Sequence, residues 1–347
     1  MLHKSVAAVI LVFVLILLAS LPARAQEIGY PFKWSNFRIE LTGGWARISP
    51  KDLNRAVDYE NAYLNHYYLD RYAYYDDLYG DAYSARYVYS GAEKFESLRS
   101  ITALGAAIRY QLSPTFALSL GVQSLRGAKS SGVGLDVVID DARPEAEFPG
   151  TSTASYANDD LTVSIKSWMP YLAANFGWDL FKFLRSEIFF LGGPIFGDVR
   201  AWNKRNESIL AAEETVSSGS RTMELTGRAT SIGIELGGQL RFKLFPFLEI
   251  YGQASYAFRQ LNQIQGLYSL LMTSELPTAS ETLYTAEGTW GVRLEKAGTP
   301  WGLFSAQTLT TEWGTEGWTT DSYALGATGA SVDLSGFHLT AGISIRI

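Results

Sequence analysis

Cysteine is absent from the 347 residues, and histidine occurs only three times. Without cysteine there is no disulfide scaffold and no lipid-modified N-terminal cysteine. Beyond the first 25 residues the only histidines are His66 and His338. No G-x-S-x-G surrounds a serine, and no H-E-x-x-H or other metal-ligand spacing occurs. His66 lies near Asp70, Asp76 and Asp77, and a histidine beside a carboxylate can act as a base. A lone loop histidine is more often solvated, so the expectation is a protein without catalytic residues, metal or cofactor. Long apolar runs are also lacking after residue 25, which argues against transmembrane helices. The formal net charge is −6, and an acidic chain disfavours nucleic acid as a partner.

What is present is aromatic residues, at 14%, and 32 glycines. Residues 1–25 read as an export signal. His3 and Lys4 form a basic start, Ala7 to Ala19 an apolar stretch, and Ala23-Arg24-Ala25 a small-residue cleavage site. At the other end, Phe337, Leu339, Ala341, Ile343, Ile345 and Ile347 alternate with His338, Thr340, Gly342, Ser344 and Arg346. Side chains alternate across a strand, so one face is apolar and the other small and polar.

Similar segments recur along the chain, separated by turn residues. Strands are expected near 37–48, 99–111, 116–126, 161–178, 188–200, 229–243, 248–260 and 337–347. The fifth is hard to phase because Phe189, Phe190 and Leu191 are consecutive. Placing Asp198 inside puts Phe189, Leu191, Ile195 and Val199 on the apolar outer face. In the fourth, Leu161, Val163 and Ile165 share one parity and Trp168, Leu172, Ala174, Phe176 and Trp178 the other. Either a β-bulge near Ser167 switches the phase, or the first half lies above a membrane. Short connections alternate with long ones at 49–98, 127–160, 201–228 and 261–335. This asymmetry, with the alternating strands and export signal, points to an all-β, antiparallel transmembrane β-barrel. Eight strands are favoured over ten, with 283–312 as a hairpin outside the membrane. The localisation expected is the bacterial outer membrane, with both termini in the periplasm.

Two residue sets stand out. Arg38, Glu40, Arg109, Glu235, Arg241, Glu249, Arg259, His338 and Arg346 share the inward parity. Side chains just fill the interior of an eight-stranded barrel, so this set reads as a paired structural core rather than a channel. In the first long connection, Ser49, Pro50 and Asp52 resemble a helix start. Eleven tyrosines lie between Tyr59 and Tyr89. Tyr59, Tyr63, Tyr67, Tyr68, Tyr72, Tyr75 and Tyr79 fall at helical spacing. They suggest a helical segment with a tyrosine face, packed on the barrel rim or offered to an extracellular partner or glycan.

The layout resembles the small eight-stranded outer-membrane barrels, the superfamily of the OmpA transmembrane domain, OmpX and OmpW. The resemblance rests on the signal, the loop asymmetry and the ending Asp333-Leu-Ser-Gly-Phe337 to Ile347. The terminal Ile347 departs from the aromatic residue usual in that class. The resemblance implies a C-terminal strand read by barrel-insertion machinery, outer-membrane lipid around the belt, and a structural or surface-interaction role. A second implied role is passive uptake of small apolar compounds, as in OmpW-like proteins; a surface enzyme is third.

Overall fold

The computed structural model describes residues 34–55, 57–58, 61, 83–91, 94–141, 152–211, 214–276, 279–293, 303–305, 309–311 and 327–347. The export-signal reading and the tyrosines at 59–79 lie outside these residues. After a short 3-10 turn at Trp34–Asn36, the strands are β1 (Phe37–Ile48), β2 (Tyr83–Gly91), β3 (Ser100–Gln111), β4 (Phe116–Asp141), β5 (Ser152–Phe181) and β6 (Leu184–Ala211). There follow β7 (Glu214–Phe245), β8 (Leu248–Asn262), β9 (Gln265–Leu276), β10 (Ser280–Arg293), the short β11 (Leu303–Ser305), β12 (Leu309–Thr311), β13 (Ala327–Gly329) and β14 (Ser331–Asp333), and β15 (Gly336–Arg346).

Eight strands close on themselves in the order β1-β3-β4-β5-β6-β7-β8-β15, and β15 returns to β1 from Arg38↔Arg346 to Ile48↔Gly336. Every neighbouring pair is antiparallel. Closure leaves the ring itself without an open edge. One end carries the tight connections. Ser113 Oγ accepts from Phe116 N at 3.0 Å in the first of them, and Pro114 sits where no ladder hydrogen bond is required. At this end Ile347 N donates to Phe37 O at 3.1 Å, which ties β1 to the last residue.

At the opposite end the wall continues beyond the ring. β4, β5, β6 and β7 run for 26, 30, 28 and 32 residues. The segments 127–160 and 201–228, expected as loops, therefore contain strand extensions. β2 pairs with β4, and β9 and β10 add to β7 as a hairpin. β10 also pairs with β11, β12 and β13. The expected hairpin at 283–312 thus lies off the ring, beside β9, a strand within the segment expected as the last long loop.

A bulge near Ser167 does not occur. The β4–β5 register is unbroken from Phe116↔Phe176 to Asp140↔Ser152. Leu161, Val163 and Ile165 are buried inside, while Leu172, Phe176 and Trp178 are exposed outside. The apparent phase switch is a change in which face is apolar along a strand of constant phase. The same holds for β6, where the expected facing is overturned. Phe189, Leu191, Ile195 and Val199 point inward and are buried, whereas Ile188 and Phe190 are exposed. Asp198 faces outward beside Arg228 at 3.1 Å. A charge on the outer face costs little once the strand has left the apolar band, so Asp198 is a misleading guide to phase.

Around the ring near the tight turns, the outer face is an apolar band. It includes Ile39, Leu41, Leu104, Leu120, Leu172, Phe176, Phe190, Leu236, Leu240, Ile250, Leu339 and Ile343, all exposed. Aromatic pairs mark its turn end, among them Phe37–Tyr110 at 4.6 Å and Phe183–Phe242 at 5.2 Å. Trp168 and Phe196, stacked at 4.4 Å, mark the other edge.

Candidate functional site

Inside the ring, at the level of the apolar band, charged side chains meet instead of apolar ones. Their strands alternate, so Glu235 points inward between the outward Ile234 and Leu236, and Arg241 between the outward Leu240 and Phe242. Glu187 on β6 is the hub. Arg109 donates to its two oxygens at 2.8 and 2.6 Å, Arg185 Nε donates at 2.6 Å and Arg241 Nε at 3.0 Å. Gln239 donates to it as well. Arg241 reaches onward to Glu40, and to Glu249 at 3.3 Å. Arg38 closes on Glu249 at 2.5 Å, and Arg109 lies 3.9 Å from Glu40.

A second cluster sits nearer the long end. Arg259 donates to Glu235 and to Gln123. Ser255 Oγ donates to Glu235 at 2.5 Å, and His338 Nδ1 lies 3.5 Å from the same carboxylate. Two inward tyrosines each lie over the glycine that is their register partner on the neighbouring strand, Tyr171 over Gly121 and Tyr251 over Gly342. A Cβ on Gly121 would lie 2.6 Å from the Tyr171 ring, and one on Gly342 the same distance from that of Tyr251. Only glycine leaves room for these rings. Arg241 also lies 4.7 Å over Tyr251, a cation–π contact.

Above this layer the interior turns apolar. Ile165, Met169, Ile195, Val199, Leu225 and Leu261 form one buried cluster. Leu53 and Val57, after β1, close it from above together with Phe95, Leu98 and Leu334. Residues 51–55, 57 and 58 are helical. Asn54 exchanges hydrogen bonds with the Leu98 backbone at 3.1 and 3.0 Å, and Asn61 with that of Phe95 at 3.1 and 2.7 Å. Asp52 accepts from Ser331 N at 2.8 Å. Higher still, the register partners Asp159 and Arg205 pair at 2.5 Å while buried. Outside the band, Lys129 donates to Glu96 at 2.6 Å and holds that carboxyl below its ordinary range.

Of the residues expected inside, Arg38, Glu40, Arg109, Glu235, Arg241, Glu249, Arg259 and His338 come together. Arg346 does not join them: it is exposed at the end of β15, with Nε donating to Ser35 O at 2.5 Å. Glu187 and Arg185 escape a phasing of β6 that starts from Asp198. The alternating Arg185-x-Glu187 beside the turn is the better guide. Asn54 and Asn61 carry no pattern that marks them before folding. Such a cluster fills space and fixes register. Its net stabilisation is small because desolvation offsets much of the attraction, yet removing one partner is costly.

No protein-family model matches the chain, and no curated protein matches it. Among solved structures it is similar to a major outer membrane protein from Thermus thermophilus. That match has 10% sequence identity and a TM-score of 0.27, and covers 89% of this chain and 99% of the other. A likeness of this degree carries no role across to this chain.

Proposed function

We propose that the protein is a bacterial outer-membrane β-barrel whose role is structural or surface-interacting, through the extensions at its long end. The observation that carries this reading is the polarity of the ring: apolar side chains face outward on all eight strands while charged ones are sealed inside. In water that arrangement would be unstable; in lipid it is the expected one. The outward stretch from Leu248 to Phe258 has the length of about 9–11 residues that a tilted strand needs to cross a bilayer. The termini of the ring would face the periplasm and the strand extensions the exterior. β15, with Phe337, Leu339, Ile343, Ile345 and Ile347 outward, would be the strand met by barrel-insertion machinery. Contact with an extracellular partner or glycan through the tyrosine-rich stretch 59–79 belongs to the same proposal. Catalysis forms no part of this proposal.

Two stacked layers of side chains in the interior weigh against the passive-uptake reading. Refolding into phosphatidylcholine vesicles tests the proposal. The protein is expected to insert, to migrate faster on gels when unheated, and to give no steady conductance in planar bilayers. Failure to insert overturns the membrane reading, and a large stable pore overturns the sealed interior.

A further inference from the structure

Directly above the apolar band, one row of register partners runs across the outer face: Arg126 on β4, Lys166 on β5, Asp198 on β6 and Arg228 on β7. Arg228 pairs with Asp198. Arg126 and Lys166 stand directly opposite each other, both exposed, with no ion-pair partner among the described residues. Like charges facing each other across a ladder are destabilising, and the one acid of the row, Asp198, is paired with Arg228, so Arg126 and Lys166 leave it with an excess of positive charge. The chain as a whole is acidic, which makes the local excess of positive charge more pronounced.

The wall forks beside this row. β7 pairs with β8 only as far as Gly233↔Arg259, and with β9 only from Arg228↔Gln265. Residues 229–232 thus have no ladder partner on that edge. Gln263, with φ 52°, turns the chain away between β8 and β9. The fork opens a cleft of about 870 Å³, lined among others by Lys166, Arg200, Arg228, Thr230 and Gln265, with Asp198 as its only acidic residue. Two residues along the same strands from Lys166 and Asp198 stand the stacked Trp168 and Phe196, and Trp is characteristic of a membrane interface.

We infer that the row Arg126–Lys166–Arg228 and the adjoining cleft bind the anionic, phosphate-bearing headgroup of a lipid in the surrounding leaflet. This rests on the membrane reading above. The site joins an apolar face to a basic step within two residues of one strand. That is the chemistry of a lipid with acyl chains below and a phosphate above, rather than of a soluble anion. Lys166 and Arg126 would contribute charge, and the free edge of β7 and Thr230 would offer hydrogen-bond donors.

The experiment uses the refolded full chain in detergent, titrated with phosphatidylglycerol, phosphatidylcholine or inorganic phosphate, and read by native mass spectrometry. Phosphatidylglycerol should be retained in preference to phosphatidylcholine. Arg126→Gln with Lys166→Gln should weaken that retention about thirtyfold, from about 1 kcal/mol per basic residue near an anionic surface. Arg47→Gln, on the outer face of β1 away from the cleft, should leave it unchanged. Equal retention by the double variant overturns the site, as does inorganic phosphate competing at the same concentration as the lipid. Unheated gel mobility shows that each variant is folded. Wild type that fails to insert into phosphatidylcholine vesicles overturns both this site and the membrane reading. Insertion without lipid selectivity overturns the site alone.

Discussion

The turn-end and long-end halves of β6 follow one backbone phase yet their outer faces have opposite polarity. From Leu184 to Phe196 the outer face holds Ile188 and Phe190, and the inner face passes from Arg185 and Glu187 beside the turn to Phe189, Leu191 and Ile195. From Asp198 to Arg205 the outer face holds Asp198 and Arg200, and the inner face Val199 and Ala201. β5 inverts at the same level, between Trp168 outside and Ile165 inside. Along these strands the outer face therefore passes from apolar to polar, while the charged side chains near the turns give way to a largely apolar filling. Above the inversion the chain packs as a water-soluble sheet protein does, over an apolar core. Below it, on the membrane reading proposed for the ring, the outer face meets lipid and the hydrophobic effect of water does not act on it. Ion pairs around Glu187, Arg241 and Glu235 hold the filling there together.

The comparison is most severely tested at Glu187. Its replacement by Gln leaves Arg109, Arg185 and Arg241 short of a counter-charge inside the barrel. The expected loss is about 3–5 kcal/mol, read as a lower urea midpoint in vesicles. A loss below about 1 kcal/mol would mean that water reaches this layer. In the other half, Leu225→Ala should cost about 2–5 kcal/mol through the cavity it leaves, measured in the same titration. A negligible effect would mean that the long end is not a packed core.

Outer-face substitutions sharpen the contrast. On the membrane reading Phe190→Arg should cost about 2–4 kcal/mol, since it would place a charge within the apolar band in the bilayer, and assembly yield in vesicles should fall with it. Thr226→Arg, also outward but above the inversion, should leave yield unchanged; equal damage from both would erase the boundary. The smallest effect is expected from Asp198→Asn. This half-exposed pair with Arg228 should contribute about 0–1 kcal/mol, and raising the salt should remove even that. A larger, salt-insensitive loss would put Asp198 in an apolar setting, within the band rather than above it.

Much of the ring was legible before folding was considered. The alternation in 229–243, 248–260 and 337–347 sets which side chains point outward, because period-two geometry follows from the backbone alone. Eight of the nine residues assigned inward by that parity do meet inside. Arg346 escaped because parity does not say where a strand ends: the last stretch of chain puts it in the open beside Ser35. Glu187 escaped because three consecutive apolar residues leave the phase undetermined.

The features legible in the residues alone are local: which faces alternate, where turns interrupt them, and that no cysteine is present to form a disulfide. Tertiary structure alone decided where the alternation changes meaning. Polarity marks the inside or the outside only once the medium around the strand is known, and the medium is set by how the ring stands against its surroundings. The partners of Glu187 include residues on other strands, up to 78 residues away. No local pattern encodes that meeting, since it depends on the register through which eight strands close.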